Sequence, residues 1–256
     1  MQTDPSKWLS ALRRSQDQLA TLISGLDASG LRRTSYCADW SVAQVLSHLG
    51  SQAEIFGRFV DAGLSGQDPP GQDQFPPIWD AWNARTPEAQ AEDSIAANEA
   101  FLRRLEGLDG EQLSSFRLAL FGMDLDVVGL LGLRLSEQAV HAWDVAVTFD
   151  PDAKVAADAS ALLVDRLPDL AARVGKATEE PMTVRVSTTG PERSFALLTG
   201  GVGLEPFTDQ SATGTLQLPA EAFVRLVYGR LDARHTPPLE ADGVDLDVLR
   251  RVFPGS

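Results

Sequence analysis

The stretch from Asp124 to Phe149, DLDVVGLLGLRLSEQAVHAWDVAVTF, is apolar on most sides when wound as a helix. Such a helix has little surface to give to water, so other elements have to enclose it. Asp124 can cap its start, and DPD marks its end. Inside it stand three polar side chains, Glu137, His141 and Asp144.

Three further segments supply the enclosure. From Asp4 to Leu26, Trp8, Leu12, Leu19, Leu22, Ile23 and Leu26 recur at helical spacing, and SGLDASG follows as a stop. From Ser41, with Gln44 at capping-box spacing, Val45, Leu49, Ala53, Phe56 and Val60 mark a second helix that runs to Gly63 and Gly66 and carries His48. A third begins at Thr86 with a cap and Pro87 at its first position, and stops at glycine. The connection GQDPPGQDQFPPIWDAWN is too rich in proline and glycine for a continuous helix and is expected to be a loop.

Four long helices predict an up-and-down bundle. Beyond Pro151 the pattern changes. A helix expected from Ala153 to Val174 is followed by MTVRVSTT, RSFALLT and TGTLQLP, which have strand character, and by helices AEAFVRLVYGR and DLDVLRRVF. The division is an all-helical domain over residues 1–150 and a smaller α+β domain over 151–256.

The formal charge of −14 removes the basic footprint of a nucleic-acid binder. One cysteine, Cys37, excludes an intramolecular disulfide framework and a cysteine-based structural zinc site, and a buried small hydrophobe, in preference to a nucleophile, is its expected role. The first residues lack a signal-peptide pattern, and no apolar run is long enough to span a membrane. The expectation is a soluble cytoplasmic protein with neither nucleic acid nor membrane as partner.

Glu137 and His141 are four apart and share a helix face, with Asp144 three residues further on the same stripe. A carboxylate in apolar surroundings is costly unless it is paired, protonated or metal-bound. His48, from another core-forming helix, is the natural partner, and two imidazoles with one carboxylate make a three-ligand site with a position left open. Spacing alone leaves alternatives: a boundary histidine with a satisfied hydrogen bond, a surface Glu–His pair, or another divalent ion such as iron. Asp144 fits either an acceptor that orients a ligand imidazole or a salt-bridge partner for an arginine. Trp40 is expected to pack the turn before the second helix, and Trp82 and Arg85 are candidates for lining a cleft.

YCADWSVAQVLSHLGSQ, Tyr36 to Gln52, resembles the entry to the second helix of DinB-like bundles, and EQAVHAWDVA resembles the other ligand segment of such bundles. Together with PAEAFVRLVYGR they resemble the mycothiol-dependent maleylpyruvate isomerase family, in which a DinB-like four-helix bundle precedes a smaller sterol-carrier-like α/β domain. The resemblance implies His48, Glu137 and His141 as ligands of a divalent metal, zinc foremost, and mycothiol as thiol cosubstrate. It implies a metal-bound thiolate that adds to a small electrophile, as a cis-trans isomerase or an S-transferase. Arg230 falls where the family's second domain tends to place a cleft-facing arginine suited to a carboxylate. The competing reading is a surface arginine at a helix C-terminus. Two domains enclosing their own cleft imply a monomer. The functional alternatives are a non-catalytic metal-binding bundle and a metal-dependent hydrolase.

Overall fold

Helix starts follow the caps. Asp4 caps α1 (Pro5–Ser24), its carboxylate accepting from Ser6 N, and Asp27 caps the single turn α2 (Ala28–Leu31). Ser41 and Gln44 close a reciprocal capping box on α3 (Val42–Ser65), which Gly66 ends in the left-handed conformation at φ 66°. The computed structural model describes residues 4–37 and 39–255.

The proline-rich connection is not wholly a loop, which corrects the expectation from sequence. After a 3-10 turn at Gln72–Gln74 it forms α4 (Pro76–Asn83), because Pro76 and Pro77 occupy the first helical positions, where a missing N–H costs nothing. Thr86 caps α5 (Pro87–Glu106), and Asp109 caps α6 (Gly110–Ser115). A hairpin, β1 (Leu118–Leu120) paired antiparallel with β2 (Met123–Leu125), then precedes α7 (Val127–Ala146). Asp124 therefore lies in a strand, and Asp126 is the cap, accepting from Gly129 N at 2.8 Å.

The long helices pack α1 on α7 and α5, and α3 on α5, α7 and α4. Their shared core includes Leu19, Ile23, Val42, Val45, Leu46 and Leu49. Gly50 lets α4 approach α3 closely: a Cβ there would lie 2.2 Å from the ring of Trp82.

The chain folds as two compact units, Met1–Ala153 and Lys154–Ser256. In the second unit the single helix expected up to Val174 is broken into α8 (Ala157–Leu163), a 3-10 turn, and α9 (Leu167–Val174), which restarts with Pro168 in its first turn. The strands are β3 (Thr183–Thr189), β4 (Arg193–Leu198), β5 (Gly203–Pro206) and β6 (Gly214–Pro219); α10 (Ala220–Val227), β7 (Glu240–Asp242) and α11 (Leu246–Val252) complete the unit. The sheet order is β5-β4-β3-β6-β7, with β3 and β6 parallel and the other pairs antiparallel. Val184, Val186, Leu216 and Leu218 alternate into the core of this unit, as a sheet with one covered face requires. Among the described residues no helix is long and apolar enough to cross a membrane.

Candidate metal centre

His48 stands in the second turn of α3, and Glu137 and His141 share one face of α7. Packing of these two helices brings them together: His48 Nε2 lies 3.0 Å from Glu137 Oε2, and His141 Nε2 lies 3.7 Å from the same oxygen. The two imidazoles meet edge to face with centroids 4.7 Å apart. One ligand atom from each of the three residues fits within a 4.8 Å cluster.

A tetrahedral zinc site with bonds of about 2.0–2.1 Å has ligand–ligand edges of about 3.3 Å. The two separations from Glu137 Oε2, 3.0 and 3.7 Å, bracket that edge, and all three donor atoms lie within 4.8 Å of one another, so the donor set suits a divalent ion. The site is not sealed, since the Glu137 side chain retains 37% of its exposure.

The electrostatics favour a deprotonated donor set. Burial by itself would raise the Glu137 carboxyl, but the His48 hydrogen bond and the nearby His141 and Arg134 outweigh it and hold it down to about 2. Burial also pushes His48 below its ordinary value, against the opposing pull of Glu137, which favours the neutral imidazole that a metal requires.

Asp144 is fully buried, and its Oδ2 lies 2.9 Å from His141 Nδ1. With the carboxylate accepting, Nδ1 carries the proton and the Nε2 lone pair is left for a ligand position. The same oxygen accepts from Cys37 Sγ at 3.1 Å. Cys37 is thus a half-buried hydrogen-bond donor and not a buried small hydrophobe, because the turn that carries it closes onto α7. Tyr36 N donates to Asp144 O at 3.2 Å, and the Tyr36 ring meets Trp143 edge-on at 4.8 Å.

That turn also places the indole of Trp40 5.3 Å from the His48 ring and 6.3 Å from the His141 ring, with 36% of Trp40 exposed. Trp40 therefore borders the candidate site as well as closing the turn. Trp82 is buried against α3 and donates to Glu54 Oε2 at 3.3 Å, with the Arg85 guanidinium 3.6 Å above its ring. These contacts pack α4 against α3. Arg230 belongs to the second unit, where it is buried, with Nη1 donating to Tyr228 O at 2.7 Å. Its burial removes the surface-arginine reading, because the chain turns back into the core after α10 ends at Val227.

Sequence reasoning did not single out Cys37, Trp40 and Arg134 as neighbours of the donor set. An indole at a helix entry three residues after a cysteine, and an arginine within an apolar run, were the available signals.

A family model described as the mycothiol maleylpyruvate isomerase N-terminal domain matches residues 12–146. Two uncharacterized proteins of Mycobacterium tuberculosis, from strains CDC 1551 / Oshkosh and ATCC 25618 / H37Rv, are each 24% identical over 170 residues, covering 65% of this chain and 79% of theirs. An isoleucine–tRNA ligase of Leifsonia xyli subsp. xyli is 35% identical over 83 residues, 32% of this chain but only 7% of the ligase's length. The crystal structure of a mycothiol-dependent maleylpyruvate isomerase superposes with a TM-score of 0.66 at 13% identity, over 93% of this chain and 92% of that one. The fold is shared over both units' residues.

Proposed function

The chain belongs to the mycothiol maleylpyruvate isomerase N-terminal domain family, and on that premise we propose that it is a mycothiol-dependent isomerase of a small electrophilic substrate. In this reading His48, Glu137 and His141 hold a divalent ion, with zinc suited to two imidazoles and a carboxylate. One observation carries it: three donor atoms from two helices lie within 4.8 Å of one another, two of them at 3.0 and 3.7 Å from Glu137 Oε2, near a tetrahedral edge, and the Glu137 side chain is partly exposed. An ion held there supplies a Lewis acid with a free position, at which a thiol loses its proton readily and becomes nucleophilic near neutral pH.

The chain's own residues prepare that position. Asp144 fixes the His141 tautomer, and Glu137 stays ionised through its hydrogen bond with His48 and the nearby Arg134 charge. Trp40 shields the imidazole rings on one side. Addition of the thiol sulfur to one end of a carbon–carbon double bond leaves a single bond that can rotate. Elimination then returns the thiol and the isomerised product. Retention of the sulfur would give an S-conjugate instead. Arg230 is assigned to hold a substrate carboxylate, a task for which a guanidinium fork is suited. The reading places the enzyme in the cytoplasm as a monomer, and its acidic charge argues against nucleic acid as a partner.

Elemental analysis of the purified protein, followed by incubation of mycothiol with cis-configured electrophiles and mass spectrometry of the products, tests this. Stoichiometric divalent metal and a product of unchanged mass are expected, both lost in His48→Ala. A stable product heavier by one thiol would make the enzyme a transferase. A metal-free protein indifferent to thiols would overturn the proposal.

A further inference from the structure

Arg134 lies one turn before Glu137 on α7 and is 1% exposed. Its Nη2 donates to Asn98 Oδ1 of α5 and, at 3.1 Å, to Gln138 Oε1, both neutral amides. Gln138 Nε2 donates in turn to Gln16 Oε1 of α1 at 3.1 Å, and Asn98 Nδ2 donates to Leu49 O of α3 at 3.3 Å. A buried polar network thus joins the four long helices. Two of its members, Leu49 and Gln138, are the sequence neighbours of His48 and Glu137.

The charge on Arg134 is poorly compensated inside this network. Its Nε and Nη1 have no hydrogen-bond partner, and among the described residues no carboxylate forms an ion pair with it. The rings of Phe56 and Phe101 lie 5.8 and 5.9 Å from the guanidinium carbon, which offsets only part of the desolvation. Neutral amides would hold a neutral side chain equally well, so what the arginine adds is its charge. Glu137, three residues further along α7 and on a neighbouring position of the helix surface, stands within the field of that charge.

We propose that Arg134 is a positioning charge of the candidate centre, a fixed buried cation whose field favours an anionic sulfur over a neutral thiol at the position beside Glu137. The inference rests on the reading of the three donors as a metal- and thiol-binding site. A fixed cation acts with opposite sign on the two ligands, attracting the anionic thiol and repelling the metal. A purely structural residue would weaken both when removed.

The test measures two affinities in the full chain: zinc by competition with a chromophoric chelator, and mycothiol by calorimetry on the zinc-loaded protein. Arg134→Met is expected to raise the Kd for mycothiol about tenfold, the order of the Coulomb effect of one nearby buried charge at an effective dielectric constant of about 20. Zinc is expected to bind as tightly as in the parent or more so. Arg134→Lys, which keeps a cation, is expected to stay within about threefold of the parent for mycothiol. Circular dichroism establishes that each variant folds, and Arg134→Gln replaces Arg134→Met if the latter does not. Unchanged mycothiol affinity in Arg134→Met overturns the proposal. Parallel loss of zinc and mycothiol does so too, because that is the pattern of a scaffold residue. A parent protein that binds neither ligand fails before any variant is made, so failure of the underlying site reading is seen separately.

Discussion

The Asp144 carboxylate takes hydrogen bonds from two directions, His141 Nδ1 at 2.9 Å and Cys37 Sγ at 3.1 Å, with no exposure to solvent. Asp144→Asn keeps the shape but removes the charge and can turn an N–H toward His141. Loss of this kind of orienting group typically weakens metal binding by about 10–100-fold, and that range is expected for zinc in competition titrations. Unaltered zinc affinity would remove the orienting role. The donors also make the metal-free protein acid-sensitive. His48 is held below its ordinary value of 6.5, so just below that pH the unfolded chain binds more protons than the folded one and stability falls as pH falls. Glu137, held at about 2 against an ordinary 4.5, adds stability above 4.5 that is lost as pH drops toward 2, with the same sign. Melting curves of the metal-free protein should therefore shift down by a few degrees from pH 7 to pH 5, and His48→Gln should flatten that upper part. Glu137, His141 and Asp144 were legible as a group because helical spacing places them on one face before any tertiary structure is known. Cys37 was not, because its partner lies 107 residues away and the contact depends on how one turn closes.

At the scale of elements, caps carried most of the legible information. Ser41 with Gln44 and Thr86 with Pro87 mark helix starts by chemistry that is local in sequence. The departures also have local causes. Pro76 and Pro77 read as breakers in a glycine-rich tract but serve as helix starters, and the hairpin before α7 is too short to leave a clear alternation. What sequence cannot supply is the partner of a small residue, and α3 tests this twice. At Gly50 a Cβ would lie 2.2 Å from Trp82, whereas at Gly57 nothing lies within 4 Å. Gly57→Ala should stabilise the protein by about 0.5–1 kcal/mol through helix propensity. Gly50→Ala makes the same propensity gain but has to displace a buried indole at a cost of about 1–3 kcal/mol, so a net loss of about 1–2 kcal/mol is expected. Urea unfolding followed by tryptophan fluorescence gives both values. Equal effects at the two positions would mean that the Trp82 indole does not press on Gly50.

At the scale of the whole molecule, the chain carries a net charge of −14, which at long range repels an anionic substrate. Recognition of a carboxylate therefore has to come from a cation held locally. The second unit contains a segment built to hold one. From α10, Arg225, paired with Glu221, donates to His235 O at 2.7 Å, and from α11 Arg250 donates to Leu231 O at 2.7 Å and to Thr236 Oγ1 at 2.8 Å. Between these anchors Arg230 is fixed by its own bond to Tyr228 O. Position in the sequence suggested either a substrate-facing or a surface arginine there, and neither periodicity nor composition registers the backbone carbonyls that decide its burial. If Arg230 holds the substrate carboxylate, Arg230→Lys keeps the charge but loses the planar two-pronged donor. KM for a carboxylated substrate is then expected to rise about tenfold, the worth of one charge-assisted hydrogen bond, with kcat changed by no more than about twofold. Zinc content should stay at the parent value, since the three donors all lie in the first unit. A matched substrate ester, lacking the negative charge, should be indifferent to the substitution. If acid and ester respond alike, the effect is one of folding in the second unit, and carboxylate recognition must be assigned to another cation.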